Sequence, residues 1–270
     1  MESFKLAHSP ITYFISGKEH AEWILFIHAA FVNHNMFQPQ FTYFQDQYNV
    51  LALDIIGHGA STDTRKGDGI DQMAEWITAI LQVENIEKIH IVGVSLGAIL
   101  AQDFANRYPN SVHSLACFGG YDINHFDRAL QKENGAKQMQ MMLKALFSVQ
   151  WFAEENKKIS AHTAQAQDAF YQMNLLFPKK SFRFLSSLNR LINKHPTGER
   201  AYPLLIGCGQ HDLPMEREAI NQWKKREPNC QVAIFENAGH CVNMDVPQAF
   251  NEVLEKFLTG VEGSHASGSR

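Results

Sequence analysis

Three residues of this 270-residue chain have types and spacing that could carry out nucleophilic acyl chemistry: Ser95, Asp212 and His240. A serine hydroxyl attacks a carbonyl only when a base takes its proton. An imidazole serves as that base when a third group, usually a carboxylate, fixes its tautomer. Ser95 stands in Gly93-Val94-Ser95-Leu96-Gly97, behind the apolar run Ile89-His90-Ile91-Val92 and ahead of a helix-like segment over residues 98–105. Strand, G-x-S-x-G turn and helix form the pattern of a nucleophile elbow. Its glycines let the backbone double back and lift one hydroxyl clear of a sheet. Asp212 follows the strand-like residues 203–206, in Gly209-Gln210-His211-Asp212, and His240 follows residues 231–235, in Ala238-Gly239-His240. Both therefore fall at strand carboxyl ends, the edge where ligands bind in parallel sheets. Asp122, just after the strand ending near Phe118, is the substitute acid should Asp212 point elsewhere.

The elements that must position these groups alternate along the chain. Ser9-Pro10 separates two extended runs that read as an opening hairpin, residues 4–8 and 11–15. Residues 23–27 and 50–53 read as buried strands. Met73, Trp76, Ile77, Ile80 and Leu81 lie along one face of a helix beginning near Asp71. A strand at 112–118 ends the first half. The strand rhythm resumes at 203–206 and 231–235, and a helix over 247–258 closes the pattern. Near-continuous apolar strands separated by helices predict an α/β fold, a mostly parallel sheet with helices on both faces. Residues 121–200 carry helical signals and no convincing strand, which predicts a helical cap inserted into a core of residues 1–120 and 201–261. The tail, 262–270, is expected to be disordered, and a vector origin for it stays open.

Composition narrows the function classes. The chain is 45% hydrophobic and 19% charged with a net charge of −4 and no dense basic run, so nothing favours nucleic-acid binding. No apolar run is long enough to cross a bilayer, and Met1-Glu2-Ser3-Phe4-Lys5 does not start a signal peptide. The four cysteines are scattered without a C-x-x-C pair, which suits buried small hydrophobes in a reducing, cytoplasmic compartment. None of the 13 histidines has H-E-x-x-H spacing, so neither a catalytic metal nor a cofactor is expected. The oligomeric state stays open.

Two further stretches extend the pattern. Asp54-Ile55-Ile56-Gly57-His58-Gly59-Ala60-Ser61 matches a D-x-x-G-H-G-x-S loop, and Ile27-His28 ends a strand where an H-G oxyanion loop would start. With the elbow and the order Ser, Asp, His, the chain resembles the α/β-hydrolase superfamily. More narrowly it resembles small capped serine esterases, perhydrolases and carbon–carbon hydrolases, over about residues 20–120 and 200–258. The resemblance implies an oxyanion hole made by the N–H groups of Leu96 and Ala30, with Phe31 N–H as the fallback. It also implies that His28 and His58 organise loops. Ala29 departs from the family, which has glycine there, and an alanine fits only if the loop avoids positive φ, so a shifted loop is expected. His34 and His211 lie near the expected cleft, whereas Cys241 reads as a packing residue.

The cap segment is rich in methionine and aromatic residues. Phe31, Met142, Phe147, Trp151 and Met173 are the candidates to line a substrate pocket, which would be apolar and lack cationic clusters. That favours a carboxylic-ester hydrolase acting on small to medium apolar substrates. Lactone hydrolysis, perhydrolysis and carbon–carbon cleavage use the same residues and remain alternatives. So does a ligand sensor that retains the hydrolase scaffold.

Overall fold

The structure is a computed structural model that describes residues 1–17, 20, 22–126, 148–195 and 200–267, with side chains to 261. Its sheet has eight strands: β1 (Glu2–Lys5), β2 (Thr12–Ser16), β3 (Trp23–Ile27), β4 (Asn49–Leu53), β5 (Ile89–Val94), β6 (Val112–Phe118), β7 (Leu204–Gly209) and β8 (Gln231–Phe235). Their spatial order is β1-β2-β4-β3-β5-β6-β7-β8. β1 and β2 form the expected hairpin and β2 pairs antiparallel with β4; all later pairings are parallel. Central strands β4, β5 and β7 are buried at every position, as a parallel sheet covered on both faces requires. The chain passes from β3 outward to β4, then back across β3 to β5. That reversal opens a crevice at the carboxyl ends of β3 and β5, where such sheets bind ligands.

Among the described residues, seven α-helices of seven residues or more pack around the sheet: α1 (Gln38–Phe44), α2 (Met73–Val83), α3 (Leu96–Arg107), α4 (Val149–Ser160), α5 (Ala164–Leu175), α6 (Pro214–Arg226) and α7 (Pro247–Ser267). A 3-10 turn at Ile70–Gln72 leads into α2, just ahead of the start read from the sequence. Because strand side chains alternate, Leu25 and Ile27 join one core with Ile77, Leu100, Phe104 and Trp223. Ile24 and Phe26 join the other, with Phe37, Phe41, Phe250 and Phe257. All four cysteines are buried and unpaired.

Among the described residues of 121–200 there are helices and turns but no strand. The tail differs from expectation, since α7 continues to Ser267 and the boundary drawn at 261 falls inside it. Adding residues to an anchored helix costs far less than nucleating one, so the amphipathic stretch through Val261 can carry a polar extension.

Candidate active site

The hydroxyl-bearing turn is built by two close backbone approaches. A Cβ on Gly93 would lie 2.3 Å from Gly97 O, and one on Gly97 would lie 1.9 Å from Ile27 O. Between them Ser95 adopts φ 56° and ψ −117°, a conformation a non-glycine residue holds only when its surroundings enforce it. Part of that enforcement is Ser95 N–H donating to Phe118 O of β6 at 2.8 Å. The outcome is a half-buried hydroxyl at the start of α3, at the β3/β5 crevice.

His240 Nε2 is 2.7 Å from Ser95 Oγ, and His240 Nδ1 is 2.9 Å from Asp212 Oδ1. An ionised carboxylate only accepts, so Nδ1–H donates to Asp212 and Nε2 of the neutral ring accepts from the serine. Asp212 Oδ1 also accepts Leu213 N–H at 2.7 Å, which fixes the carboxylate at the entry to α6. Asp122 has other partners. It accepts from His125 Nδ1 at 2.7 Å and Asn124 N–H at 3.0 Å and lies 4.0 Å from Arg226.

Burial opposes charge on the His240 ring. The Asp212 carboxylate outweighs it by charge and hydrogen bond, and with Glu216 it holds the imidazole up at about 9. Glu216, in the first turn of α6, is itself pushed up to about 7 by burial, which His240 opposes and Asp212 reinforces. A helix N-terminus favours such a charge by only about 1 kcal/mol or less, while burying a carboxylate costs several, so burial dominates.

The N–H groups of Ala30 and Leu96 make no hydrogen bond among the described residues and are free to meet a ligand. Ala29 stays out of the left-handed region, and the positive φ falls instead on Phe31, at 69°. Asn174 Nδ2–H steadies that strained residue by donating to Phe31 O at 3.2 Å.

A family model described as the α/β hydrolase fold matches residues 22–157. The chain belongs to the α/β hydrolase family. RutD of Escherichia coli O157:H7, to which carbamate hydrolysis is provisionally ascribed, is 29% identical over 226 residues, covering 80% of this chain and 83% of RutD. A thermophilic esterase of Thermogutta terrifontis has the same fold, with a TM-score of 0.78 at 17% identity over 96% of this chain and 98% of its own. A carboxylesterase structure from the thaumarchaeon Nitrososphaera gargenis reaches a TM-score of 0.80, again at 17% identity, over 97% of this chain and 100% of its own.

In this α/β hydrolase the D-x-x-G-H-G-x-S loop wraps around Asp54, which accepts from His34 N–H and Nδ1, both at 2.9 Å, and from Ala60 N–H at 2.7 Å. His34 is therefore tied to Asp54, and it stacks on Phe14 with ring centroids 3.5 Å apart. His28 Nδ1–H donates to Ala29 O at 2.7 Å, and its Nε2 accepts Ile55 N–H at 2.9 Å, joining two loops. His58 Nδ1–H donates to Ile56 O at 3.1 Å. His211 stacks on His162 of the α4–α5 turn, 4.0 Å apart and 8° from parallel. Cys241 is fully buried, and that burial pushes its thiol well above the usual value.

The pocket candidates separate. Phe31 meets Phe152, Phe177 and Phe182 at ring-centroid distances of 5.0, 5.2 and 5.7 Å, an aromatic cluster that joins the loop after β3 to α4 and the segment after α5. On α4 the inward positions are Phe152, Asn156 and Ser160, spaced by four, so Trp151 is turned about 100° off that face and is 37% exposed. Met173 packs half-buried against the core on the α1/α7 side. Met142 and Phe147 lie outside the described residues.

Sequence reasoning missed Asp245, Glu216 and Phe182, and it counted Phe152 and Phe177 only among the apolar residues of 121–200 without making them pocket candidates. Asp245 accepts His162 N–H, Thr163 N–H, Thr163 Oγ1–H and Gly239 N–H, all within 3.0 Å. It thereby fastens the α4–α5 turn to the loop that carries His240. The inward face of α4 could have been found by its i, i+4 spacing; nothing local marks Asp245.

Proposed function

We propose that this α/β hydrolase cleaves carboxylic esters of small to medium apolar acyl groups through an acyl-enzyme on Ser95. The reading rests on one observation, the 2.7 Å contact between Ser95 Oγ and His240 Nε2. Ser95 Oγ attacks the ester carbonyl carbon as its proton passes to Nε2, and Asp212 stabilises the resulting imidazolium. The negative charge that develops on the carbonyl oxygen is met by Leu96 N–H and Ala30 N–H, donors of a kind worth a few kcal/mol each. Collapse of the tetrahedral intermediate breaks the ester C–O bond, and the leaving alkoxide takes the proton from His240. Water, deprotonated in turn by His240, attacks the acyl-Ser95 and releases the acid. The aromatic cluster around Phe31 suits an apolar acyl chain. All four cysteines are buried and unpaired, and on that ground we place this activity in a reducing, cytoplasmic compartment.

The likeness to RutD favours a second reading, in which the scissile carbonyl belongs to a carbamate. The same attack applies, with an amine or ammonia as a product. A fluorophosphonate probe, followed by peptide mass spectrometry, is expected to label Ser95 stoichiometrically. Turnover of aryl esters should fall by a factor on the order of a thousand or more in Ser95→Ala, with circular dichroism unchanged. Labelling elsewhere, or an unaltered rate, would refute both readings. A matched panel of esters and carbamates then separates them by kcat/KM.

A further inference from the structure

Two buried carboxylate oxygens near His240 have no hydrogen-bond partner among the described residues: Asp212 Oδ2 and Glu216 Oε2. They belong to residues four apart at the entry to α6. Asp212 spends its other oxygen on His240 and Leu213, whereas Glu216 has no ion-pair partner among the described residues. The titratable groups facing Glu216 are Asp212 and His240 from the loops, Tyr121, Asp122 and His125 from the segment after β6, Cys208 from β7, and Arg217 and Arg226 from its own helix. Of the cations, Arg217 is exposed, while Arg226 and His125 already face Asp122. Among the described residues, the remaining positive group that can answer a charge on Glu216 is His240.

We propose that Glu216 is a positioning residue that titrates jointly with His240 and sets its basicity. With its proton on, Glu216 leaves a single negative charge, on Asp212, beside the imidazole. Once ionised it adds a second buried negative charge, and the imidazole then holds its own proton more firmly. The pair thus shares protons in two overlapping steps, as coupled buried groups do. Each group acts on the other in that sense: Glu216 strengthens the imidazole's hold on its proton, and His240 draws Glu216 back toward ionisation. The inference rests on His240 being the base, yet it can be read without turnover.

The test is a ¹⁵N histidine-ring NMR titration, with His240 assigned by difference from His240→Gln. The wild-type ring should titrate in two steps. In Glu216→Gln it should titrate in one, with the midpoint lowered by about one pH unit or more. Glu216→Leu, which also removes the charge but fills the site with apolar atoms, should shift it the same way. Glu218→Gln, at an exposed position of the same helix, should not. A one-step wild-type titration whose midpoint survives both Glu216 substitutions would overturn the proposal and leave the Ser95 chemistry standing. The acid limb of kcat/KM should move with the NMR midpoint.

Discussion

At the scale of single residues, the choice of acid is decided by what each carboxylate already holds. Asp212 reaches His240 at 2.9 Å, while Asp122 is committed to His125 and Arg226. Asp212→Asn is therefore expected to lower kcat by a factor on the order of a thousand to ten thousand, because an amide stabilises the wrong imidazole tautomer. Asp122→Asn should cost less than about tenfold, since it lies outside the hydrogen-bonded chain. Steady-state kinetics on an aryl ester checks both, and comparable losses would contradict the assignment. Ser95, Asp212 and His240 were legible in the sequence because each is announced by a short apolar strand and a turn. Glu216 was not, because its burial comes from α6 packing over β7 rather than from its neighbours in sequence. The strain at Phe31 was half legible: Ala29 signalled that the loop could not follow the glycine path, but not that the positive φ would fall two residues later.

Among elements, the tie between the α4–α5 turn and the loop carrying His240 matters most. The turn between α4 and α5 shares Asp245 with Gly239, and Cys241 N–H donates to Ser160 O at 2.7 Å. The residues on either side of His240 are thus tied to the α4–α5 segment, 80 or so positions away in sequence, Cys241 directly and Gly239 through Asp245. That distance hid the contact from any reading of local pattern, whereas strands and helices followed from periodicity alone. A Cβ on Gly239 would sit 3.1 Å from His162 N, so this contact leaves little slack. Removing the carboxylate should strand several buried N–H donors, each costing about 1–3 kcal/mol when unpaired. Asp245→Ala is expected to lose about 3 kcal/mol or more of stability and to depress kcat more than it raises KM, since His240 loses its footing. Urea unfolding and steady-state kinetics report the two effects separately. A variant with lost stability but intact kcat would show the clasp to be structural only.

For the whole molecule, buried histidines set how stability depends on pH. Burial holds His28 down to about 4, and burial with the neighbouring His28 holds His58 down to about 3, from an ordinary value of 6.5. The unfolded chain takes up these two protons first. Each residue therefore contributes stability that is present above 6.5 and is lost as the pH falls toward its folded value. His240 and Glu216 act in the opposite sense, because their folded values are raised to about 9 and about 7. Their contributions are complete at low pH and disappear as the pH rises, through about 7 for Glu216 and about 9 for His240. The windows overlap, and stability should peak where the opposing slopes cancel, near pH 6. His58 isolates the acid side, because its Nε2 is buried without a partner and its ring lies 4.7 Å from Phe177. His58→Phe gives up the hydrogen bond to Ile56 O, a cost of about 1 kcal/mol that is the same at every pH. Relative to pH 8, the variant should gain about 2 kcal/mol over wild type at pH 5, from 1.5 pH units at about 1.4 kcal/mol each. Urea denaturation at the two pH values measures this. Parallel stability curves for the two proteins would mean that acid sensitivity originates elsewhere, with His28 the next residue to substitute.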